Sequence, residues 1–264
     1  MKKAFVFVSI AVILLFGFLT LENYLQVSVY PIVKTFEYNR ILKSKKDYKI
    51  HDTENFYILY DARIDFAEIT GEVLEEHFQD ICSTLDYFPN KKIPVIIYDN
   101  KKELLETIRL DEENSPVGAY YSGIVHVLSP TEWVEDENNI NEIYRETTPA
   151  IHEFAHLLID EKTKNNYPIW FTEGIALYIE NEMIGLEWEE GKGRTSNVSL
   201  EELNKNFSSI DQEIAYRKSY EVVSSLANNY GFDKINLLLD SLGRGKGINN
   251  SFEAVLKIKI EEFD

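Results

Sequence analysis

Cysteine is nearly absent: Cys82 stands alone in 264 residues. No intrachain disulfide can form, and neither can a paired-cysteine metal or redox motif. Flanked by Ile81 and Leu85 on an expected helix, this thiol reads as a buried, inert core residue. Basic residues are also scarce, with 27 Lys and Arg against 45 Asp and Glu and a net charge of -18. A chain this acidic lacks the electrostatic footprint of a nucleic-acid binder, and its body would not dock onto an anionic bilayer by charge. Internal repeats and low-complexity segments are missing. With 44% hydrophobic and 13% aromatic residues, a disordered chain is excluded as well.

Long apolar runs are limited to one. Lys2 and Lys3 precede a stretch from Ala4 to Leu21 broken only by Ser9, Gly17 and Thr20. As a helix it would rise about 27 Å, close to the thickness of a bilayer core. The lysines keep the N-terminus in the cytoplasm and place the rest outside. After the run there is no clear small-x-small cleavage site, and no cysteine follows it for lipidation. Residues 1–21 therefore read as an uncleaved signal anchor, with a cleaved signal peptide as the rival; if cleaved, the domain would be secreted. Residues 22–50 hold Pro31 and a scatter of Lys and Arg, and read as a stalk or a short juxtamembrane helix, a solvated spacer being favoured over contact with lipid head groups.

From His51 the texture becomes globular. Strands are expected at Phe56–Tyr60, Ile93–Tyr98, Gly118–Tyr121 and Ile124–Leu128, the last two as a hairpin through Ser122-Gly123. Helices are expected at Phe66–Phe88 and Lys101–Leu110. After Asn138 the pattern is almost wholly helical, with helices ending at Gly231 and Gly243 and a last one capped by Asn250 and Glu253. A β-containing half followed by a helical half predicts an α+β fold with a cleft where they meet.

The chemistry concentrates at His152-Glu153-Phe154-Ala155-His156. Side chains four apart on a helix share a face, so two imidazoles there can hold one metal. Glu153 lies beside the pair, placed to meet a metal-activated water without ligating the metal. Thr148 as N-cap and Pro149 in the first turn are expected to start this helix. Imidazole and carboxylate donors in an open tetrahedral site favour zinc. A third ligand is needed, and the choices are Glu173, His126, His77 and Asp160. Glu173 is favoured: it opens a second apolar helix behind Pro168, and a carboxylate between Trp170 and Ile175 is costly to bury unless it meets a cation. His126, set in a β-run between valines, reads as structural. Asp160 reads as an orienting group behind a ligand or as a solvated acid at the helix end.

H-E-F-A-H (152–156), P-I-W-F-T-E-G-I-A-L-Y (168–178), A-Y-R-K-S-Y-E-V-V-S-S-L (215–226) and a closing E-E-F (261–263) together resemble the peptidase MA-like proteins. These are zinc metallopeptidases of the gluzincin clan, related to thermolysin and to the membrane-alanyl aminopeptidases. The resemblance covers roughly residues 51–264. It implies a zincin-like, two-lobed α+β domain, with residues 51–160 as the α/β lobe and 161–264 as the helical lobe. It also implies His152, His156 and Glu173 as ligands of Zn2+, and Glu153 as general base. Tyr216, in a segment similar to the Tyr-x-Lys-Gly of the aminopeptidase branch, is implied as oxyanion stabiliser, with Tyr220 as alternate. Two departures stand out. The G-x-M-E-N segment that reads a substrate amino terminus has no match, and Leu177 occupies the place where thermolysin-like relatives carry an acid. The expected function is a membrane-anchored extracytoplasmic zinc metallopeptidase acting on a peptide or protein. The alternative is a catalytically silent zinc- or substrate-binding module of the same fold.

Overall fold

The computed structural model describes residues 24–61, 63–111 and 116–263. The apolar run Ala4–Leu21 lies outside them. Among the described residues no helix is long and apolar enough to cross a membrane.

A five-stranded mixed sheet organises the first half, in the order β1-β2-β3-β5-β4. Its strands are β1 (Lys49–Asp52), β2 (Phe56–Tyr60), β3 (Ile93–Tyr98), β4 (Gly118–Tyr121) and β5 (Ile124–Leu128). β2, β3 and β5 run parallel, while β1 and β4 pair antiparallel at the two edges. Side chains alternate across a strand, and this alternation splits the core in two. Phe56, Ile58, Val95, Ile97, Val125 and Val127 face the main core, whereas Leu59, Ile96, Tyr98, Ile124 and Leu128 face a smaller one behind. That is why β3 is apolar at every position: both its faces are covered. The hairpin turn uses positive φ at Ser122 (53°) and Gly123 (82°), which matches the twist of the strands it joins.

The helix α1 (24–44) precedes the sheet. It is the helical alternative for this stretch, and it corrects the favoured solvated spacer. Ile41 is fully buried in the rear core. Glu37 receives Arg40 at 2.8 Å and Arg109 at 2.9 Å, and Lys45 pairs with Glu103 on the next helix but one. The basic residues that made this stretch look like a spacer are thus partly consumed in fastening it to the domain. α1 and α3 (Lys101–Ile108) cover one face of the sheet. α2 (Ile64–Thr84) and the later helices cover the other.

α4 (Ile140–Thr147) leads into α5 (Ala150–Thr163) and α6 (Ile169–Ile184). α7 (Leu200–Asn206), α8 (Gln212–Tyr230), α9 (Phe232–Gly243) and α10 (Ile248–Leu256) complete the helical half. One apolar cluster runs continuously from the strand Phe56–Tyr60 to Ile260, so the two expected lobes share a core. Two caps differ from expectation. α5 takes Pro149 as its N-cap, and α10 begins at Ile248 behind Gly247, which places Asn250 and Glu253 inside the helix. Cys82 is buried, and burial pushes its thiol up to about 12.

His126 sits wholly inside the rear core. The Tyr98 hydroxyl lies 2.8 Å from its Nδ1, and the Tyr121 carbonyl 3.3 Å from its Nε2. A neutral ring with its proton on Nε2 satisfies both. Burial pushes its pKa down from 6.5 to about 3. Below pH ~6.5 the unfolded chain takes up a proton that the folded chain refuses, so stability falls as pH drops and levels off below about 3. Relative to His126→Gln, the wild type should lose about 3 kcal/mol between pH 7 and pH 4. Urea unfolding of both proteins at the two pH values reads this difference, since carboxylate contributions cancel between them.

Candidate active site

α5 lies against the sheet, where its residues Phe154, Ala155, Leu158 and Ile159 are fully buried. That seating leaves His152 and His156 facing away from the core, one turn apart. The helix ends at Lys164 in the left-handed conformation (φ 56°), and the chain re-enters as α6 behind Pro168. α6 can pack closely on α8 because Gly174 has no side chain. A Cβ there would run into the Ser219 carbonyl and Val223. This close seating sets the position of its neighbour Glu173.

The result is a compact triangle of donors. His152 Nε2 and His156 Nε2 are 3.0 Å apart, and Glu173 Oε2 lies 3.4 Å from the first and 3.5 Å from the second. Among the described residues this is the group of His, Cys, Asp or Glu side chains whose ligand atoms converge in this way. A tetrahedral zinc with bonds of about 2.0–2.1 Å has ligand–ligand edges of about 3.3–3.4 Å, so the triangle has the right size. The outer ring nitrogens are engaged as well. His156 Nδ1 is 2.7 Å from Thr172 Oγ1, and His152 Nδ1 is 3.4 Å from Glu180 Oε2. Partners on Nδ1 direct Nε2 inward, as ligating histidines require. The donor set therefore fits a zinc ion.

Charge in this cluster is tightly balanced. Burial works against a charged His152, but hydrogen bonds to Glu173 and Glu180 prevail and hold its pKa well above the ordinary value. Burial would raise Glu173, yet the neighbouring His156 and His152 keep it well below the usual carboxylate range. Glu153 is buried beside the triangle, and desolvation raises its pKa. The backbone of Tyr120 on β4 hydrogen-bonds it. β4 approaches this closely only because residue 118 is glycine: a Cβ there would come within 2.7 Å of Pro149 Cβ and 3.0 Å of Glu153 Cγ.

The site residues line a cleft of about 970 Å³, bounded on one side by Gly118, Ala119 and Tyr120 of the edge strand. Tyr216, from the first turns of α8, also lines it, with its ring against Trp188 and Phe207. Burial and the nearby carboxylates of Glu173 and Glu153 hold its hydroxyl protonated. Tyr220 points elsewhere, donating to Asn181 Oδ1 at 3.3 Å. His126 is in the rear core, and His77 is a half-buried residue of α2. Asp160 fits neither expectation. It is buried and accepts from Lys34 Nζ at 2.6 Å and from the Tyr120 hydroxyl at 2.5 Å. Sequence reasoning missed Glu180 and Thr172. Glu180 follows Glu173 by two helical turns on one face of α6, a spacing that the sequence displays. Thr172 carries no comparable signal.

A two-histidine helix laid on a mixed sheet, with an acid returned by the next helix at the floor of a cleft, defines a metallopeptidase-like domain. The family model of the peptidase MA superfamily matches residues 84–264, and the chain belongs to that superfamily. The match begins at the last residue of α2, so α1, β1 and β2 precede it. A search of the curated proteins finds no match.

Proposed function

We propose that this chain is a zinc metallopeptidase, anchored in the membrane by residues 1–21 with its catalytic domain outside the cytoplasm. The observation that carries the peptidase reading is the donor triangle with Glu153 beside it on the cleft floor. His152, His156 and Glu173 would hold the ion. Zinc, when bound, supplies a Lewis acid that acidifies water and polarises a carbonyl. Glu153 takes the proton of the attacking water and returns it to the leaving amine. Tyr216, kept protonated, donates a hydrogen bond to the developing oxyanion. The outer edge of β4, which pairs with no further strand among the described residues, offers main-chain groups other than the Tyr120 group engaged by Glu153 to an extended peptide, in the manner of strand addition. The anchor rests on the apolar run Ala4–Leu21 with Lys2 and Lys3 before it.

A peptide library incubated with the purified chain, with and without chelator, tests this reading. Cleavage that chelator stops and added zinc restores is expected. Bound zinc without any turnover would instead favour a silent binding module. Tyr216→Phe should lower kcat on the order of 10²-fold with little change in KM, because the hydroxyl acts on the transition state and not on the bound peptide. An equal loss in Tyr220→Phe and none in Tyr216→Phe would reverse the assignment.

A further inference from the structure

α1 has two apolar faces. The inner one seats Val27 and Ile41 against the domain. The outer one carries Leu25, Val29, Ile32, Val33 and Phe36, which recur at helical spacing and are each exposed by half or more, Ile32 by 71% and Phe36 by 68%. Tyr24 flanks them. No Asp, Glu, Lys or Arg occurs from Tyr24 to Val33. Past Phe36 the outward positions turn polar, with Asn39 and Lys43. A contiguous apolar stripe of this kind on a soluble surface marks a contact with something apolar.

Position along the chain says what that contact is. The stripe occupies the end of α1 that adjoins the run Ala4–Leu21, and Glu22 is the only charged residue between Lys3 and Lys34. A chain that leaves the hydrocarbon near Leu21 delivers the first turns of α1 to the bilayer surface. We propose that α1 lies in the lipid interface, with Leu25, Val29, Ile32, Val33 and Phe36 at the boundary between head groups and acyl chains. This rests on the anchor reading above and is independent of the peptidase chemistry. The polar turn at Asn39 marks where the helix leaves the lipid.

The inner face gives this placement a mechanical consequence. Lys34 reaches Asp160 Oδ2 at 2.6 Å and Glu161 Oε1 at 2.6 Å, both on α5. Asp160 in turn accepts the Tyr120 hydroxyl of the cleft-lining strand. The helix that meets lipid is thereby fastened to the helix bearing His152 and His156 and to the strand beside Glu153, which sets the attitude of the cleft to the bilayer.

The test uses the full chain in vesicles of phosphatidylcholine and phosphatidylglycerol. Nitroxide labels are placed singly at Ile13→Cys, Ile32→Cys, Phe36→Cys and Lys43→Cys. Cys82 is buried and stays in place, with the unsubstituted chain as the labelling blank. Collision rates with oxygen and with a water-soluble nickel chelate report the environment of each label. The labels at 32 and 36 should favour oxygen over nickel several-fold relative to the label at 43. Water-like behaviour at 32 and 36 with lipid-like behaviour at 13 would overturn the interfacial helix and leave the anchor intact. Water-like behaviour at all three would overturn both. Dipolar broadening between labels at 32 would show a second copy on the stripe and also overturn the proposal.

Discussion

Glu153→Gln should lower peptide hydrolysis by about 10³-fold while zinc stays bound. The amide keeps the size of the carboxylate and can keep the hydrogen bond from the Tyr120 backbone, but it cannot take a proton from water. Its effect on stability should have the opposite sign. Burial raises the pKa of Glu153 above 4.5. A group with a raised folded pKa contributes stability below its unfolded pKa and loses it as pH rises through the folded value. Above the unfolded pKa, burying this carboxyl therefore costs the fold stability, and a neutral amide removes that cost. The variant should be inactive and at least as stable as the wild type without metal. Kinetics on a cleavable peptide, zinc content by elemental analysis and urea unfolding without metal check the three parts. Loss of zinc in this variant would move Glu153 from base to ligand.

Glu173→Ala should abolish both metal binding and activity. It deletes one corner of the donor triangle and leaves two imidazoles that no longer share a carboxylate. Wild-type stability should rise with free zinc, by about 2.7 kcal/mol at a concentration a hundred times Kd, whereas the variant should show no rise. The wild-type response has a pH sign. Metal needs neutral imidazoles, and His152 holds its proton to unusually high pH in the metal-free protein because Glu173 and Glu180 support the charge. Zinc therefore competes with a proton, and its apparent affinity falls as pH falls. Thermal unfolding across a zinc titration at two pH values, for both proteins, reads the effect. A variant that still gained stability from zinc would place the third ligand elsewhere.

How much of this was legible in the sequence differs by element. β2, β3 and β5 lie at the expected residues because each is a short apolar run with clear punctuation, made continuous by burial on both faces, while β4, an edge strand, was legible from the Ser122-Gly123 turn that pairs it with β5. α5 and α6 were equally plain, since spacing alone puts two histidines on one face. α1 was not. Its apolar residues point both inward and outward, which erases the one-sided period by which a packed helix is recognised. β1 was missed because Lys49–Asp52 has no fully buried residue and serves only as an edge. The donor triangle was legible in its members; its outer partners were less so. Glu180 becomes meaningful only when folding brings it to a histidine from another helix. Asp160 read as an orienting group or a solvated acid because its cation, Lys34, lies far away in the chain on a helix for which a spacer was favoured.

Anomalous scattering at the zinc edge, from crystals grown with stoichiometric zinc, bears most directly on the metal site. A single strong peak is expected about 2.0–2.2 Å from the Nε2 atoms of His152 and His156 and from a carboxylate oxygen of Glu173, on the side open to the cleft. A peak at other residues, or none while the three side chains keep their places, would contradict it.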